Sequence, residues 1–223
     1  MGLTQRQVVH GSGPEQLQAD SQKGFVQLEA LNELLEKLPF KMERLRDFVK
    51  QLCADDTLWS IDLLSAYSHA EVNERFRTLI GFNFEGADYV YNCLPFGLRT
   101  SAYALAKLTA ATAEVLRRSG LVTALIVYLD DFGGSIGPVP DHPRMARIVA
   151  TIKSFGWALA PEKLCIGLGT RLKLLGFMLD TGSMTIGVPD SRRDKLRATA
   201  ELVLANHGAV RVRTVCKLVG QIL

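Results

Sequence analysis

The sequence is short of net charge and of long apolar runs, and lacks any paired-cysteine motif. Lys and Arg number 26 against 23 Asp and Glu, so a balance of only +3 argues neither for nor against a polyanionic partner. No apolar stretch approaches the ~18 residues that a membrane span needs, and the segment after Met1 is polar, without the hydrophobic region of a signal peptide. A soluble, intracellular chain is expected, in cytoplasm or nucleus. The four cysteines, Cys53, Cys93, Cys165 and Cys216, form no Cys-x-x-Cys pair and have no neighbouring His cluster. That excludes a zinc site and reads as reduced core thiols. What is present is a 48% hydrophobic content over 223 residues, enough to bury one substantial core.

Residues 1–22 include Gly11, Gly13 and Pro14, carry no periodicity and are expected to form a loose arm. The spacing of Leu28, Leu31, Leu34, Leu35 and Leu38 predicts a helix ended by Pro39, and Met42, Leu45, Phe48, Val49 and Leu52 predict a second. Leu58–Leu63 reads as a buried strand. Arg77–Phe84 and Tyr89–Cys93 read as a strand pair turning at Glu85-Gly86. The Ala- and Leu-rich run Ser101–Arg118 predicts a helix closed by Gly120. Leu121–Leu129 and Phe132–Ile136 predict two strands with Asp130-Asp131 at their turn. A helix over His142–Phe155, short strands at Leu164–Ile166 and Leu172–Leu179, and a helix over Ser191–Asn206 complete an α+β pattern, a sheet with helices on one face.

An Asp-Asp pair at a turn is ordinarily turn chemistry, because Asp side chains satisfy neighbouring backbone N–H groups. Here the preceding strand is strongly apolar, so two carboxylates are presented at the edge of a buried sheet, where their repulsion costs energy that a divalent cation relieves. Asp62 ends another apolar strand that can lie beside the pair. Three oxygen donors without His or Cys favour magnesium over zinc. Two such ions roughly 4 Å apart suit phosphoryl transfer, the chemistry of polymerases and nucleases. After Asp190 the chain carries Arg192, Arg193, Lys195, Arg197, Arg211, Arg213 and Lys217 against Asp194 and Glu201. Such a run serves either as a solvated helix face or in phosphate contact.

Three segments narrow the chemistry: Ser60-Ile61-Asp62-Leu63-Leu64-Ser65-Ala66-Tyr67, Leu94-Pro95-Phe96-Gly97-Leu98-Arg99-Thr100-Ser101 and Tyr128-Leu129-Asp130-Asp131, in that order. Together they resemble the A, B and C blocks of the reverse transcriptase family, most closely its gypsy- and DIRS-type (LTR-class) retrotransposon polymerases, from about Leu31 onward. The resemblance implies a right-hand polymerase palm with incomplete fingers and a partial thumb. It implies that Asp62 and Asp130 bind two Mg2+ ions, which Mn2+ can replace, with Asp131 in support and a backbone carbonyl from Leu63. Tyr67 falls where the family places an aromatic gate against the ribose 2′-hydroxyl. Ser65 and Ala66 lie where backbone N–H groups would meet the triphosphate, Phe96 and Gly97 would line the nucleotide pocket, and Lys23 and Arg77 would add cations.

Gly156 and Lys163 resemble the D block, whose lysine can protonate the departing pyrophosphate. Leu175-Gly176-Phe177 resembles the primer grip, and Arg192, Arg193, Lys195 and Arg197 would open a thumb that touches template–primer phosphates. The match departs at Glu29, where a cation is expected, and at Ala102, where the family commonly has Pro. The expected organisation is an arm over 1–22, fingers remnant and palm over 23–185, and a truncated thumb start over 186–223. The implied activity is RNA-directed DNA polymerisation on an RNA or DNA template with a primer and deoxynucleoside triphosphates. The alternatives are a palm-fold module that only binds nucleic acid, and a nuclease or nucleotidyl cyclase on a similar sheet. The last leaves Tyr67 and the segment from Leu94 to Ser101 unexplained.

Overall fold

Runs of β-branched and large apolar residues bounded by polar turns build the central sheet. In a computed structural model of the chain, residues 7–9, 28–84, 86–205, 211–214 and 216 are described. In chain order the elements are β1 (Gln7–Val9), a helical stretch α1 (28–34), α2 (Leu45–Val49), β2 (Leu58–Asp62), α3 (Glu74–Arg77), β3 (Gly81–Phe84) and β4 (Ala87–Tyr91). They continue with α4 (Ser101–Arg118), β5 (Ala124–Tyr128), β6 (Asp131–Ser135), α5 (His142–Ser154), β7 (Cys165–Gly169), β8 (Arg171–Leu174), β9 (Phe177–Asp180), β10 (Thr185–Gly187) and α6 (Asp190–Ala205). The architecture is mixed α and β. Its centre is a four-stranded antiparallel sheet in the order β5-β6-β2-β7.

Alternation along the strands sorts two cores onto the two faces of that sheet. Trp59, Ile61, Leu125, Val127 and Phe132 join Leu105, Ala113 and Leu116 of α4 and Met145, Ile148 and Ile152 of α5 on one side. Leu58, Ala124 and Ile126 meet Leu172, Leu174 and Leu179 of the β8–β9 hairpin and Phe48 of α2 on the other. Two adjacent glycines of β6 make both contacts possible. A Cβ on Gly133 would stand 2.6 Å from the Leu174 side chain, and one on Gly134 would stand 2.5 Å from the Trp59 ring. Both separations are far inside van der Waals contact, so a side chain at Gly133 would force Leu174 to repack, and one at Gly134 would clash with the Trp59 ring and with the Ala124 carbonyl at 2.8 Å.

The outer strand β5 does not end in bare backbone. The Glu43 carboxylate accepts from Val127 N–H at 3.0 Å and from Arg117 at 2.6 Å, and Arg117 also donates to the Leu125 carbonyl at 3.2 Å. At the end of the sheet away from the acids, the Arg144 guanidinium donates to the carbonyls of Gly120, Leu121 and Ile136 at 2.7–2.9 Å. It thereby ties the end of α4 to both strands of the β5–β6 hairpin.

Several sequence expectations are corrected. Arg77 lies in a short helix rather than a strand, with Thr78–Ile80 in a 3-10 turn before β3, because Asn73 caps Arg75 N–H and starts a helical turn there. The second predicted helix shrinks to α2. Leu172–Leu179 is two strands broken at Leu175-Gly176. Gln7–Val9, expected in a loose arm, pairs in parallel with β4. Cys53 and Cys216 are exposed and Cys93 half-buried, all free thiols, so the core reading of these cysteines fails. The turn at Glu85, the remainder of the arm and the chain's last seven residues lie outside the described residues.

Candidate active site

β2 and β6 run antiparallel with Asp62 directly opposite Asp131. Alternation sets these two residues on the sheet face that carries Gly133 and Ile126, the face covered by the β8–β9 hairpin. β5 and β6 are joined by the two-residue loop Leu129-Asp130, and Leu63 N–H donates to the Asp130 carbonyl at 3.0 Å. The three acids therefore gather at one end of one sheet. Leu129 adopts φ +53°, a conformation that tight hairpins require and that a residue with a Cβ takes at a cost of roughly 1 kcal/mol or more. The acidic turn is thus a strained one.

The segment after Asp62 is fixed by its neighbours. Leu63 is buried and bridges Leu159, Leu64 N–H donates to Ala158, and Ala160 N–H donates to the Asp62 carbonyl. The stretch that follows Gly156 thus buttresses the acid-bearing strand. Ser65 is left-handed, with φ 50° and ψ 47°, and opens the 3-10 turn Ala66–His69. A left-handed residue followed by right-handed ones turns successive N–H groups toward a common concavity, a geometry suited to an anion. His69 Nε2 lies 3.0 Å from the Leu64 carbonyl and closes this loop.

Tyr67 stands on the same loop, its ring 4.6 Å from that of Phe96 and tilted 53° to it. Burial raises its phenol pKa, and the negative charge of nearby Asp130 raises it further. Tyr67, Phe96 and Asp130 therefore share one neighbourhood. Gly97, with φ +86°, follows Phe96 in a loop held from outside by the Asn32 side chain.

Leu175 and Gly176, at φ 47° and 80°, form the two-residue turn between β8 and β9. Arg192 of α6 reaches this tip, for a Cβ on Gly176 would lie 3.4 Å from a guanidinium nitrogen of Arg192. Arg193 pairs with Asp190, while Lys195 and Arg197 are exposed along α6. Arg77 is committed elsewhere: it donates to the Val72 carbonyl at 2.8 Å and lies within 4.0 Å of both Glu71 and Glu74. Lys163 ends a 3-10 turn at Pro161–Lys163, and Lys23 lies outside the described residues.

The donor set suits hard cations, being carboxylates and backbone carbonyls. Among the described residues, no three His, Cys, Asp or Glu side chains stand close enough together to hold a metal ion. The backbones of Asp62 and Asp131 are already paired, so side-chain rotation is what closing on an ion would require. Sequence reasoning missed Asn32 and Glu43 as organisers of this region, because their partners lie 65 to 84 residues away and leave no local signal.

No protein-family model and no curated protein matches the chain. Solved structures do. A foamy viral protease-reverse transcriptase in complex with dsDNA superposes with a TM-score of 0.66 at 17% identity, over 86% of this chain and 37% of that one. The corresponding complex with an RNA/DNA hybrid gives 0.63 at 20% identity, over 76% and 22%. The native Prototype Foamy Virus enzyme gives 0.52 at 16%, over 67% and 20%. The chain thus spans well under half the length of these relatives. It has a reverse transcriptase-like fold, a polymerase palm of antiparallel strands backed by helices. No helix among the described residues is long and apolar enough to cross a membrane.

Proposed function

We propose that the chain is the polymerase core of an RNA-directed DNA polymerase of retroelement type, of the gypsy and DIRS kind, which adds deoxynucleotides to a primer 3′ end. The observation that carries this reading is the register of Asp62 against Asp131 with Asp130 in the adjoining turn. Two paired strand ends and a hairpin loop bring the backbones of three acids to one end of one sheet, from which side-chain rotation would turn their carboxylates toward the two metal ions of nucleotidyl transfer. Bound Mg2+, with Mn2+ as substitute, would supply a more acidic primer hydroxyl and neutralise charge on the triphosphate. Asp62 and Asp130 would hold it, with Asp131 and the Leu63 carbonyl beside them.

In this reading the Ser65 and Ala66 amides receive the triphosphate, Tyr67 excludes a 2′-hydroxyl, Phe96 and Gly97 line the nucleotide, and Lys163 donates a proton to pyrophosphate. The Leu175-Gly176-Phe177 turn shares the sheet face of Asp62 and Asp131, which suits a grip that holds the primer end against the acids. Nucleic acid as partner is supported by the complexes of the similar structures with dsDNA and an RNA/DNA hybrid. Arg192, Arg193, Lys195 and Arg197 would meet its phosphates, and the commitment of Arg77 to Glu71 and Glu74 makes it a weaker partner for the triphosphate.

One second reading, a palm-fold module that binds nucleic acid without polymerising, is favoured by Glu29, an exposed carboxylate on α1 where a cation would be needed for the triphosphate. Primer extension on poly(rA)·oligo(dT) with Mg2+ or Mn2+ separates the two. Extension by the parent that is abolished by Asp130→Asn, with duplex binding retained, is the expected result. Equal extension by both chains would falsify the metal assignment, and binding without extension by either would establish the second reading.

A further inference from the structure

The loop from Phe96 to Arg99 is gripped by a side chain far away in sequence. The Asn32 amide, on α1, donates to the Gly97 carbonyl at 2.7 Å and accepts from Arg99 N–H at 2.6 Å, spanning Leu98 as a neighbouring strand would. Arg99 returns the contact, donating through its guanidinium to the Leu35 carbonyl at 2.8 Å just past α1. Three hydrogen bonds therefore join α1 to a loop that has no strand or helix of its own to hold it. At the head of that loop Phe96 is 57% exposed, and its described ring contact is Tyr67 at 4.6 Å. A loose loop would let the Phe96 ring swing toward solvent and leave Tyr67 unsupported on that side.

We propose that Asn32 is a positioning residue for sugar discrimination: by fixing the Phe96–Arg99 loop it holds Phe96 against Tyr67 and so sets where the Tyr67 ring stands. This deepens the polymerase reading and rests on it. Asn32 touches neither nucleotide nor acids; it acts through Phe96. A short amide with one donor and one acceptor suits the site. Aspartate keeps an acceptor for Arg99 N–H but sets a second oxygen against the Gly97 carbonyl, and alanine loses both bonds.

The test is a double-mutant cycle on Asn32→Ala and Phe96→Ala, with Asn32→Asp as the near-isosteric control, read as kcat/KM for deoxynucleotide over ribonucleotide. Each single change is expected to lower that ratio about tenfold, mainly by raising kcat/KM for the ribonucleotide, because a displaced Tyr67 ring no longer meets the 2′-hydroxyl. The double variant should do no worse than Phe96→Ala, and Asn32→Asp should melt with the parent yet lose discrimination. An unchanged ratio in Asn32→Ala, or a double variant whose loss is the product of the two single losses, would overturn the proposal. A second measurement needs no activity: 19F spectra of the 3-fluorotyrosine protein, with Tyr67 assigned through Tyr67→Phe. In Asn32→Ala the Tyr67 resonance should move toward its Phe96→Ala position; an unmoved resonance overturns the positioning role. If the parent extends no primer, the polymerase reading fails by itself and the 19F result still decides the role of Asn32.

Discussion

At the scale of single residues, the site is set by backbone conformations and close approaches that ordinary side chains resist. Leu129 accepts a left-handed conformation so that the hairpin can turn in two residues, and Gly133 gives up its side chain so that Leu174 can lie on the sheet beside the acids. Tyr67 is the residue whose chemistry reports most directly on this arrangement. Burial first, and then the Asp130 carboxylate, lift its phenol above the ordinary value of 10.0. A raised folded pKa favours the protonated ring in the native state. Its contribution to stability is therefore full below the unfolded value and is lost as pH rises through the folded midpoint. Ultraviolet titration of the parent minus Tyr67→Phe should place the Tyr67 midpoint above 10.0. Asp130→Asn should lower that midpoint only partway, since burial is the larger cause. A midpoint that ignores Asp130 would place Tyr67 away from the acidic turn.

At the scale of elements, the sheet is held at both ends by side chains that satisfy backbone from outside. Arg144 illustrates the strength of this device, with one guanidinium serving three carbonyls on α4, β5 and β6 connections. Arg144→Ala should destabilise the chain by about 2–3 kcal/mol, the cost of withdrawing a charged donor from partly buried acceptors. Arg144→Lys should recover less than half of that, because an ammonium cannot reproduce the planar fork. Chemical denaturation measures both, and a loss under about 0.5 kcal/mol for alanine would mean that water replaces the guanidinium without cost. The element boundaries read best where one period ran long enough, as in α4, whose predicted limits Ser101–Arg118 are the observed ones. They failed at Arg77, where the Asn73 cap rather than apolar alternation decided the backbone, and at Leu172–Leu179, where the apolar run hides a turn.

At the scale of the whole molecule, stability is unevenly spread. The sheet and α4 and α5 share the larger core, whereas α6 contains no buried residue and leaves Leu202 and Leu204 exposed. A chain ending at Gly187 should melt within about 3 °C of the full chain, and α6 amides should exchange far faster than those of β6. A drop of more than about 10 °C would show that α6 supports the palm. The same division explains what could be read in advance. Hydrophobic periodicity and the three acid- and glycine-bearing segments determined the strands, the long helices and the candidate residues Asp62, Asp130, Asp131 and Tyr67, because these are properties of contiguous chain. Only the tertiary structure decided that Asp62 faces Asp131, that the β8–β9 hairpin shares their face, that Arg77 is occupied by Glu71 and Glu74, and that Asn32 grips the Gly97 loop. Register and long-range hydrogen bonds depend on which segments meet in space, and no local pattern of residues encodes that meeting.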